Sequence, residues 1–264
     1  MTSVKSFIKY PGGKSRMVNE ILPLLQFGTF TDVFCGGGSI SLAYAQKFRP
    51  ATITMNDLDK FTYAIWDVVV NGSGDEFEEL STMVLQTPTI DLFNHNRTLL
   101  ETTNKVERAY LGIFFHKCTF SGLFNGSPIG GQGQNSQWKV GCHYNPKLLL
   151  DKMLKARRLL SGKTTVTNLD YKQLPQTDVM YYDPPYVSVG DKLYSIAFDE
   201  TKHRELSEHL HKSTSNWLLS YNDHPLVREL YSDCKIVEYK HTMSMTSFCE
   251  DKKCRVKTEL LITK

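Results

Sequence analysis

Long apolar runs are missing from this 264-residue sequence: none reaches the roughly 18 to 20 residues that a membrane-spanning helix needs. The N-terminal stretch MTSVKSFIKYPGGK has neither the apolar segment nor the small-residue cleavage site of a secretory signal. We therefore expect a cytoplasmic protein without a membrane partner.

Cysteine is present six times but never in a metal-binding pattern. No pair has the CxxC form, and the spacings match no zinc site. The sequence thus predicts reduced thiols and no bound metal. The cysteines are Cys35, Cys118, Cys142, Cys234, Cys249 and Cys254.

Two common nucleotide-binding motifs are also absent. Residues 36–41 read GGGSIS, which lacks the GxGxxG spacing of a dinucleotide site and disfavours a nicotinamide enzyme. The segment YPGGKS at 10–15 ends in Gly-Lys-Ser, as a P-loop does. A P-loop needs another glycine five residues before Gly13, and that position is Ile8.

Apolar residues make up 41% of the chain, enough for a substantial core, and strand and helix patterns alternate along it. Such alternation is typical of a parallel sheet with crossover helices. Predicted strands cover 29–34, 51–55, 164–168, 178–182, 216–220, 234–239 and 257–263, the last antiparallel to its neighbour. Predicted helices cover 38–48, 58–70, 75–86, 90–103, 106–117, 147–160, 201–213 and 223–231.

The periodic pattern stops at 118–146, a segment rich in Gly, Ser, Asn and Gln. Its aromatic residues argue against plain disorder, and long irregular stretches inside a compact domain are usually functional or disordered. We therefore interpret this segment as functional.

Positive charge is concentrated around the same segment. Residues 116–163 hold eight basic residues and one acid, whereas the rest of the chain holds 23 basic and 27 acidic residues. A basic block in a mildly acidic protein predicts a polyanion-binding surface, with a solvated face of the 147–160 helix as the alternative. A second basic cluster, at 252–257, has the composition of a hairpin tip.

A glycine-rich turn, DVFCGGGS at 32–39, follows the first predicted strand. Glycines there let backbone approach a ligand at the carboxyl edge of a sheet. Asp57 ends the next predicted strand, 21 residues after Gly36, which is close to the roughly 20-residue offset at which an acid reaches a ribose hydroxyl. The pattern predicts a nucleoside site, or alternatively a structural loop with an N-cap aspartate.

The sharpest motif is Asp183-Pro184-Pro185-Tyr186, directly after a buried strand. Its prolines fix φ and remove two backbone donors, which leaves rigid carbonyl groups at the sheet edge. A carboxylate, a carbonyl and an aromatic face together suit a planar amine. The alternative is an Asp-Pro turn that merely ends the strand.

Together, KYPGGKS, DVFCGGGS, Asn56-Asp57 and DPPY resemble the Dam-like (D12 class, group alpha) DNA adenine-N6 methyltransferases. The likeness spans nearly the whole chain and keeps the family's motif order. It implies a Rossmann-like α/β fold: a seven-stranded mixed sheet with helices on both faces, plus a smaller helical and loop domain for target recognition. Residues 1–57 and 164–264 would form the catalytic domain, and 58–163 the DNA-binding insert.

The resemblance implies S-adenosylmethionine as cofactor, S-adenosylhomocysteine as product and no metal. LLSYND at 218–223 resembles a further family segment near the target-base pocket. Catalytic roles are expected for Asp183, Pro184 and Tyr186. The expected cofactor-binding residues are Tyr10, Lys14, Asp32, Phe34, Gly36, Gly38, Asp57 and Asp183.

Double-stranded DNA is the implied partner, bound in the cytoplasm of a bacterial or phage-infected cell by a protein that is monomeric in solution. In the family members that read GATC, an arginine that reads guanine stands where this chain has Asn125. Asparagine suits adenine, so the resemblance does not carry GATC specificity to this chain. The expected DNA contacts are Lys117, Phe120, Ser121, Leu123, Asn125, Lys139 and Arg157.

As a mechanism, hydrogen bonds from the adenine amine to Asp183 and to the Pro184 carbonyl would free the nitrogen lone pair for methyl transfer, after the base has flipped out of the duplex. Tyr186 would stack on that base. Phe120 or Leu123 could wedge into the vacated space.

Four other functions compete with this hypothesis. Enzymes that modify cytosine N4 commonly carry Ser in place of Asp183, and those that modify glutamine carry Asn. A cytosine C5 enzyme needs a nucleophilic cysteine, usually after a proline, and none of the six follows one. An inactive DNA-binding scaffold would be marked by degenerate motifs, whereas all the motifs here are intact.

Overall fold

A computed structural model describes residues 4–49, 51–187, 198–242 and 256–264. The expected seven-stranded mixed sheet is confirmed. Most of the basic cluster at 252–257 lies outside the described residues. The strands are β1 (Phe30–Asp32), β2 (Ile53–Asn56), β3 (Thr164–Thr167), β4 (Val179–Tyr182), β5 (Asn216–Asn222), β6 (Lys235–Thr242) and β7 (Val256–Thr263).

The strand order is β3-β2-β1-β4-β5-β7-β6. The first five of these strands are parallel, and β7 runs antiparallel between β5 and β6, as predicted for the last apolar run. Strands β2 and β3 are added to one side of β1, whereas β4 and the later strands lie on its other side. In open α/β sheets a ligand binds outside the carboxyl ends of the strands where the direction changes in this way. The topology therefore predicts a site at the ends of β1 and β4.

All eight predicted helices are present, with shifted ends, and one short helix, α1, was not predicted. Helix α5 ends before the predicted residue 103. None of the helices in the described part of the chain could cross a membrane. The helices are α1 (Val18–Ile21), α2 (Ser39–Lys47), α3 (Lys60–Val70), α4 (Gly74–Val84), α5 (Ile90–Thr98), α6 (Lys105–Cys118), α7 (Pro146–Leu160), α8 (Glu200–Lys212) and α9 (Pro225–Leu230).

Local chemistry sets where the helices of the central region begin. The Asp59 carboxylate caps α3 by accepting hydrogen bonds from two backbone amides. Ser73 and Glu76 form a capping box at the start of α4. Helix α7 begins with an Asn145 cap followed by Pro146, a residue that suits the first helical position because it lacks the N–H that would otherwise be unpaired.

Helices cover both faces of the sheet, as the sequence predicted, and each face carries its own core. On β4, Val179 and Tyr181 point into the first core, whereas Met180 and Tyr182 point into the second. This alternation is that of a strand buried on both faces. Helices α2 to α7 contribute to the first core, and α8 and α9 to the second.

The helices of 58–163 pack onto the sheet. Helix α3 contacts both α6 and β3, and α7 contacts α2 and α3. Buried residues from these helices therefore join the first core together with strand residues. The division of the chain into a catalytic domain and a recognition insert stays a prediction about function.

Arg157, an expected DNA contact, is engaged inside the protein. Its guanidinium donates hydrogen bonds to the carbonyl oxygens of Val69 (3.1 Å) and Gly72 (2.7 Å) at the end of α3. It also lies 4.7 Å from the ring centre of Phe77. These contacts satisfy carbonyl groups that a helix end leaves without partners, so we assign Arg157 to the packing of α7 against α3.

Replacement of Arg157 by Met should lower the free energy of unfolding by about 2 kcal/mol, because carbonyl groups at the end of α3 lose a charged donor. Urea denaturation monitored by circular dichroism measures this. Arg158→Met is the matched control, since Arg158 is exposed on the same helix, and it should change stability by less than about 0.5 kcal/mol. Equal stability of the two variants would contradict the assignment.

Candidate active site

A cavity opens at the carboxyl ends of the parallel strands. Seven of the eight predicted cofactor-binding residues line it: Tyr10, Lys14, Asp32, Phe34, Gly36, Asp57 and Asp183.

The glycine-rich turn and Asp57 meet directly. The Gly36 amide donates to Asp57 Oδ2 at 2.8 Å, and the amide of Asp59 donates to Oδ1 at 3.0 Å. The Gly36 carbonyl accepts from the indole nitrogen of Trp66 at 2.8 Å. Gly36 has φ +45°, and a Cβ there would lie 2.8 Å from the ring of Tyr10. The turn is therefore closely packed between the cavity and α3.

Gly38 has a different position from the one the sequence predicted. It caps α2 with φ +66°, and a Cβ there would lie 2.3 Å from the ring of Trp66. It is not among the residues that line the cavity. Glycine is required at this position by a left-handed conformation and by close packing against Trp66.

Asn56, the residue before Asp57, ties three strand ends together. Its side-chain amide donates to the carbonyl oxygens of Val33 (2.9 Å) and Leu169 (3.0 Å). Its own carbonyl oxygen accepts from the Thr167 hydroxyl at 2.8 Å. These bonds hold the ends of β1, β2 and β3 in a fixed relation below the cavity.

Two buried carboxylates in the cavity wall have strongly perturbed acidity. Burial raises the pKa of Asp57 to about 7, helped by the charge of Asp59 and opposed by hydrogen bonds from backbone amides. Burial likewise raises the pKa of Asp32 to about 7, although its Oδ2 accepts a 2.6 Å hydrogen bond from Ser41. Within the described residues, Asp32 Oδ1 is buried and has no hydrogen-bond partner. An unpaired buried oxygen of this kind contributes to the cost of keeping Asp32 ionised.

The Asp183 carboxylate, at the end of β4, lines the same cavity and is 16% exposed. Its Oδ1 accepts hydrogen bonds from the ammonium of Lys14 and from the Ser220 hydroxyl (3.0 Å). Burial raises the pKa of Asp183, although Lys14 lowers it. Both bonds engage Oδ1, so Oδ2 makes no hydrogen bond within the described part of the chain.

The Lys14 ammonium is buried in a group of acids and tyrosines. Besides Asp183, it contacts the Gly12 carbonyl at 3.1 Å and Glu259 Oε1 at 3.4 Å, and it lies 4.9 Å from the ring centre of Tyr186. Burial by itself would lower the pKa of Lys14, but the neighbouring acids outweigh burial and raise it well above its usual value. Lys14 is therefore protonated at neutral pH.

Of the remaining DPPY residues, Pro185 alone is among the residues that line the cavity. Pro184 is buried, and the Tyr186 ring centre lies 4.9 Å from the Lys14 ammonium. The Tyr186 hydroxyl donates to Glu259. The catalytic roles of Pro184 and Tyr186 stay predictions.

Ser220 on β5, which contacts Asp183, belongs to the LLSYND segment that the sequence analysis placed near the target-base pocket. Glu259, buried on β7, escaped sequence reasoning, and the available signal was a charged residue within the apolar run 257–263. Four further residues that belong to no motif line the cavity wall: Tyr171, Phe198, Lys202 and Glu205.

The loop after α6 adjoins the cavity. A Cβ on Gly122 would lie 2.5 Å from the Lys9 carbonyl, and the rings of Tyr10 and His116 are 5.2 Å apart. The His116 Nδ1–H donates to the Gly122 carbonyl at 2.9 Å. Asn125 lines a hollow that shares Leu58 and Asp59 with the cavity wall. The predicted DNA-contact loop is therefore packed against the KYPGGKS segment.

The other predicted DNA contacts lie in this loop and beyond it. Phe120 is 66% exposed, Ser121 has φ +57°, and Leu123 is half-buried. The exposed Lys139 donates to the Gln134 carbonyl. Lys117, half-buried on α6, has its pKa lowered to about 8, first by burial and then by Lys152 and Lys9.

The irregular segment 118–146 is organised by its own hydrogen bonds. The Gln134 side-chain amide donates to the carbonyl oxygens of Ile129 (2.8 Å) and Gly131 (2.6 Å), and its oxygen accepts from the Val140 amide (2.8 Å). One side chain thus closes the loop and leaves Trp138 60% exposed at its surface.

The donors and acceptors of the cavity fit S-adenosylmethionine. Asp57 lines the cavity with carboxylate oxygens of the kind that accept from ribose hydroxyls, and Asp32 lines the same cavity as a second acid.

Comparison with known proteins agrees with this chemistry. The model of the D12 class N6 adenine-specific DNA methyltransferase family matches residues 10–245. The type II methyltransferase M.MjaIII of Methanocaldococcus jannaschii is 25% identical over 210 residues, which cover 69% of each chain. The modification methylase StsI of Streptococcus sanguinis is 25% identical over 195 residues, which cover 70% of this chain but only 29% of that protein.

Among solved structures, a methyltransferase from Pyrococcus furiosus aligns over 95% of this chain and 81% of its own, with 11% identity and a TM-score of 0.37. The family assignment depends on the sequence match, which covers most of the chain. The chain belongs to the D12 class N6 adenine-specific DNA methyltransferase family, whose members transfer a methyl group from S-adenosylmethionine to N6 of adenine in DNA.

Proposed function

We propose that this protein binds S-adenosylmethionine in the cavity beside Gly36 and methylates N6 of an adenine flipped out of double-stranded DNA, within one short sequence. The observation that carries the proposal is the position of Asp183. Its carboxylate lies in the wall of the cofactor cavity, with Oδ1 engaged by Lys14 and Ser220 and Oδ2 left for a ligand donor.

When bound, S-adenosylmethionine supplies the methyl group as an electrophilic carbon on sulfonium sulfur. Asp32 and Asp57 would hold it, Asp32 through the ammonium and Asp57 through the ribose hydroxyls. Two buried acids that are partly protonated near pH 7 accept such donors best when ionised, so a ligand that supplies donors and positive charge draws them into the charged form.

Asp183 acts on the substrate amine. An adenine amine is a poor nucleophile because its lone pair is delocalised into the ring. A hydrogen bond to Asp183 Oδ2, paired with one to the Pro184 carbonyl, draws the nitrogen toward tetrahedral geometry and frees that lone pair. After transfer the nitrogen is cationic, and its proton passes to water or to Asp183. Negative charge in the site stabilises the charge that develops on nitrogen.

The ring of Tyr186 serves as a stacking surface for the flipped base. The Lys14 ammonium lies near one side of this ring, at 4.9 Å from its centre. The opposite side is then the one for adenine. Stacking on an aromatic face contributes roughly 1–3 kcal/mol per base, which offsets part of the cost of flipping.

A basic surface beside the cavity serves as the phosphate-binding region. Lys9, Lys117, Lys152 and His143 come from four different segments and lie near enough to perturb one another: burial and the neighbouring lysines lower the pKa of Lys117 and of His143. Such mutual repulsion is relieved by a phosphate group, so this surface is suited to a DNA backbone.

The exposed Phe120 and the half-buried Leu123 extend from the loop that packs against Lys9. They are suited to enter the space that a flipped base leaves. Asn125 is exposed in the same loop and is the proposed reader of adenine. Arg157 is excluded from this surface because the end of α3 engages it.

Asp183→Asn should lower the methylation rate at least about 100-fold, because the amide no longer offers a carboxylate to the amine. Unmethylated genomic DNA is incubated with protein and S-adenosylmethionine, and modified bases are mapped by single-molecule sequencing. The wild type should mark adenine N6 within one short motif.

The control is Asp233→Asn, an exposed acid outside the cavity, which should methylate like the wild type. Cofactor affinity, measured by calorimetry, should persist in Asp183→Asn. Methylation of cytosine, or a normal rate in Asp183→Asn, would contradict the proposal.

Binding of S-adenosylmethionine should weaken as the pH falls through about 7, because protonation converts Asp57 and Asp32 to poorer acceptors. With a pKa of about 7, the ionised fraction of Asp57 falls about eightfold between pH 7.5 and 6, and the apparent Kd should rise by at least that factor. Isothermal titration calorimetry across this range measures it, and Asp57→Asn should flatten the dependence. A pH-independent Kd in the wild type would refute the assignment.

Lys152→Gln should weaken DNA binding and reduce the slope of log K against log salt by about 0.9, the value for one lost phosphate contact. Lys212→Gln is the control, because Lys212 lies exposed on α8 and should leave the slope unchanged. Fluorescence anisotropy with a labelled duplex at several salt concentrations gives both slopes. Identical slopes for the two variants would remove Lys152 from the DNA-binding surface.

A further inference from the structure

Glu259 is a charged residue in the interior of β7. It is 3% exposed and lies among apolar residues of the strand. A buried carboxylate destabilises the fold unless its oxygens are paired, so Glu259 is expected to have hydrogen-bonding or cationic partners.

The partners of Glu259 are parts of the proposed active site. Its Oε1 accepts the hydrogen bond from the Tyr186 hydroxyl and lies 3.4 Å from the Lys14 ammonium. Tyr186 belongs to the DPPY motif, and Lys14 donates to Asp183. One carboxylate oxygen therefore contacts two residues that adjoin the proposed base-binding position.

Strand β5, next to β7, also contacts the loop that contains Tyr186. In the β5–β7 ladder, Glu259 is paired with Asn222. The Asn222 side chain accepts from the Val187 amide (3.2 Å) and donates to the Val187 carbonyl (3.3 Å). The paired residues Asn222 and Glu259 thus hold two consecutive loop residues. Asn222 holds the backbone of Val187, and Glu259 holds the hydroxyl end of Tyr186.

We propose that Glu259 is a positioning residue, an inference that rests on the function proposed above. By accepting the hydrogen bond from the Tyr186 hydroxyl, Glu259 sets the plane of the Tyr186 ring for the incoming base. With its hydroxyl end held by Glu259 and the next residue held by Asn222, the ring is oriented before DNA arrives. Lys14 lies near one side of the ring, so the orientation also determines which side is presented to adenine. Preorganised geometry of this kind raises the rate of the chemical step rather than the affinity for cofactor.

A different role would be charge balance alone, in which Glu259 supplies a second negative charge to Lys14. The two roles depend on different properties of the side chain. Positioning needs an acceptor for the Tyr186 hydroxyl, which Gln retains and Met lacks. Charge balance needs a negative charge, which both Gln and Met lack.

The test compares Glu259→Met, Glu259→Gln and Tyr186→Phe. The rate of transfer of tritiated methyl groups from S-adenosylmethionine to unmethylated genomic DNA is measured in a single turnover, and cofactor Kd is measured by calorimetry. We expect Glu259→Met and Tyr186→Phe each to be about 10- to 100-fold slower than wild type, with cofactor Kd within about twofold. Glu259→Gln should recover most of the rate.

The double variant Glu259→Met/Tyr186→Phe should be no slower than either single variant, because both remove the same hydrogen bond. Glu238→Met is the matched control: Glu238 is an acid on the adjacent β6, with its side chain 45% exposed, and this variant should keep the wild-type rate. Thermal melting verifies that each variant is folded. Should Glu259→Met fail to fold, Glu259→Gln and Tyr186→Phe still decide the question.

Three results would overturn the inference: a wild-type rate in Tyr186→Phe, equal loss in Glu259→Gln and Glu259→Met, or independent effects in the double variant. The proposed function has its own indicator, which is methyl transfer by the wild-type protein to adenine. If the wild type is inactive, the proposed function fails. If the wild type is active and one of these three results is obtained, only the role of Glu259 fails.

Discussion

A buried ammonium group must have acidic partners, and Lys14 takes them from distant parts of the sheet. Asp183 follows β4, and Glu259 lies on β7, yet both contact Lys14 of the N-terminal segment. In a medium of low polarity a buried ammonium without an acid is costly, so these contacts favour the arrangement in which the three elements meet. The cluster thus ties the N-terminal segment to the DPPY motif and to the C-terminal strand.

The two buried acids of the cavity wall do not have the pKa values expected of carboxylates that stabilise the fold. Asp32 and Asp57 are buried deeply enough for the pKa of each to rise to about 7, and burial is the largest cause in both cases. A carboxylate placed to stabilise the empty fold would have its pKa lowered by a partner within the protein. Both acids have raised pKa values instead, so a ligand that favours their ionised form would stabilise the native state on binding.

Contacts made by short motifs were predictable, because backbone topology alone brings the ends of neighbouring parallel strands together. Gly36 and Asp57 are 21 residues apart in sequence, and the Gly36 amide donates to the Asp57 carboxylate at 2.8 Å. Roles that depend on packing were not predictable. Gly38 faces Trp66, and Arg157 faces the end of α3, because helices distant in sequence pack there. Glu259 was missed since only the register of β7 against β5 places it beside the active site.

The KYPGGKS segment and the predicted DNA-contact loop share a packed interface. Gly122 leaves no room for a Cβ beside the Lys9 carbonyl, and the rings of Tyr10 and His116 pack together. The Gly122 carbonyl also accepts from His116, so the ring contact and the loop backbone are joined. The interior there is closely packed, with few voids to absorb a displacement. The segment predicted to bind the cofactor and the loop predicted to contact DNA are thus in direct contact.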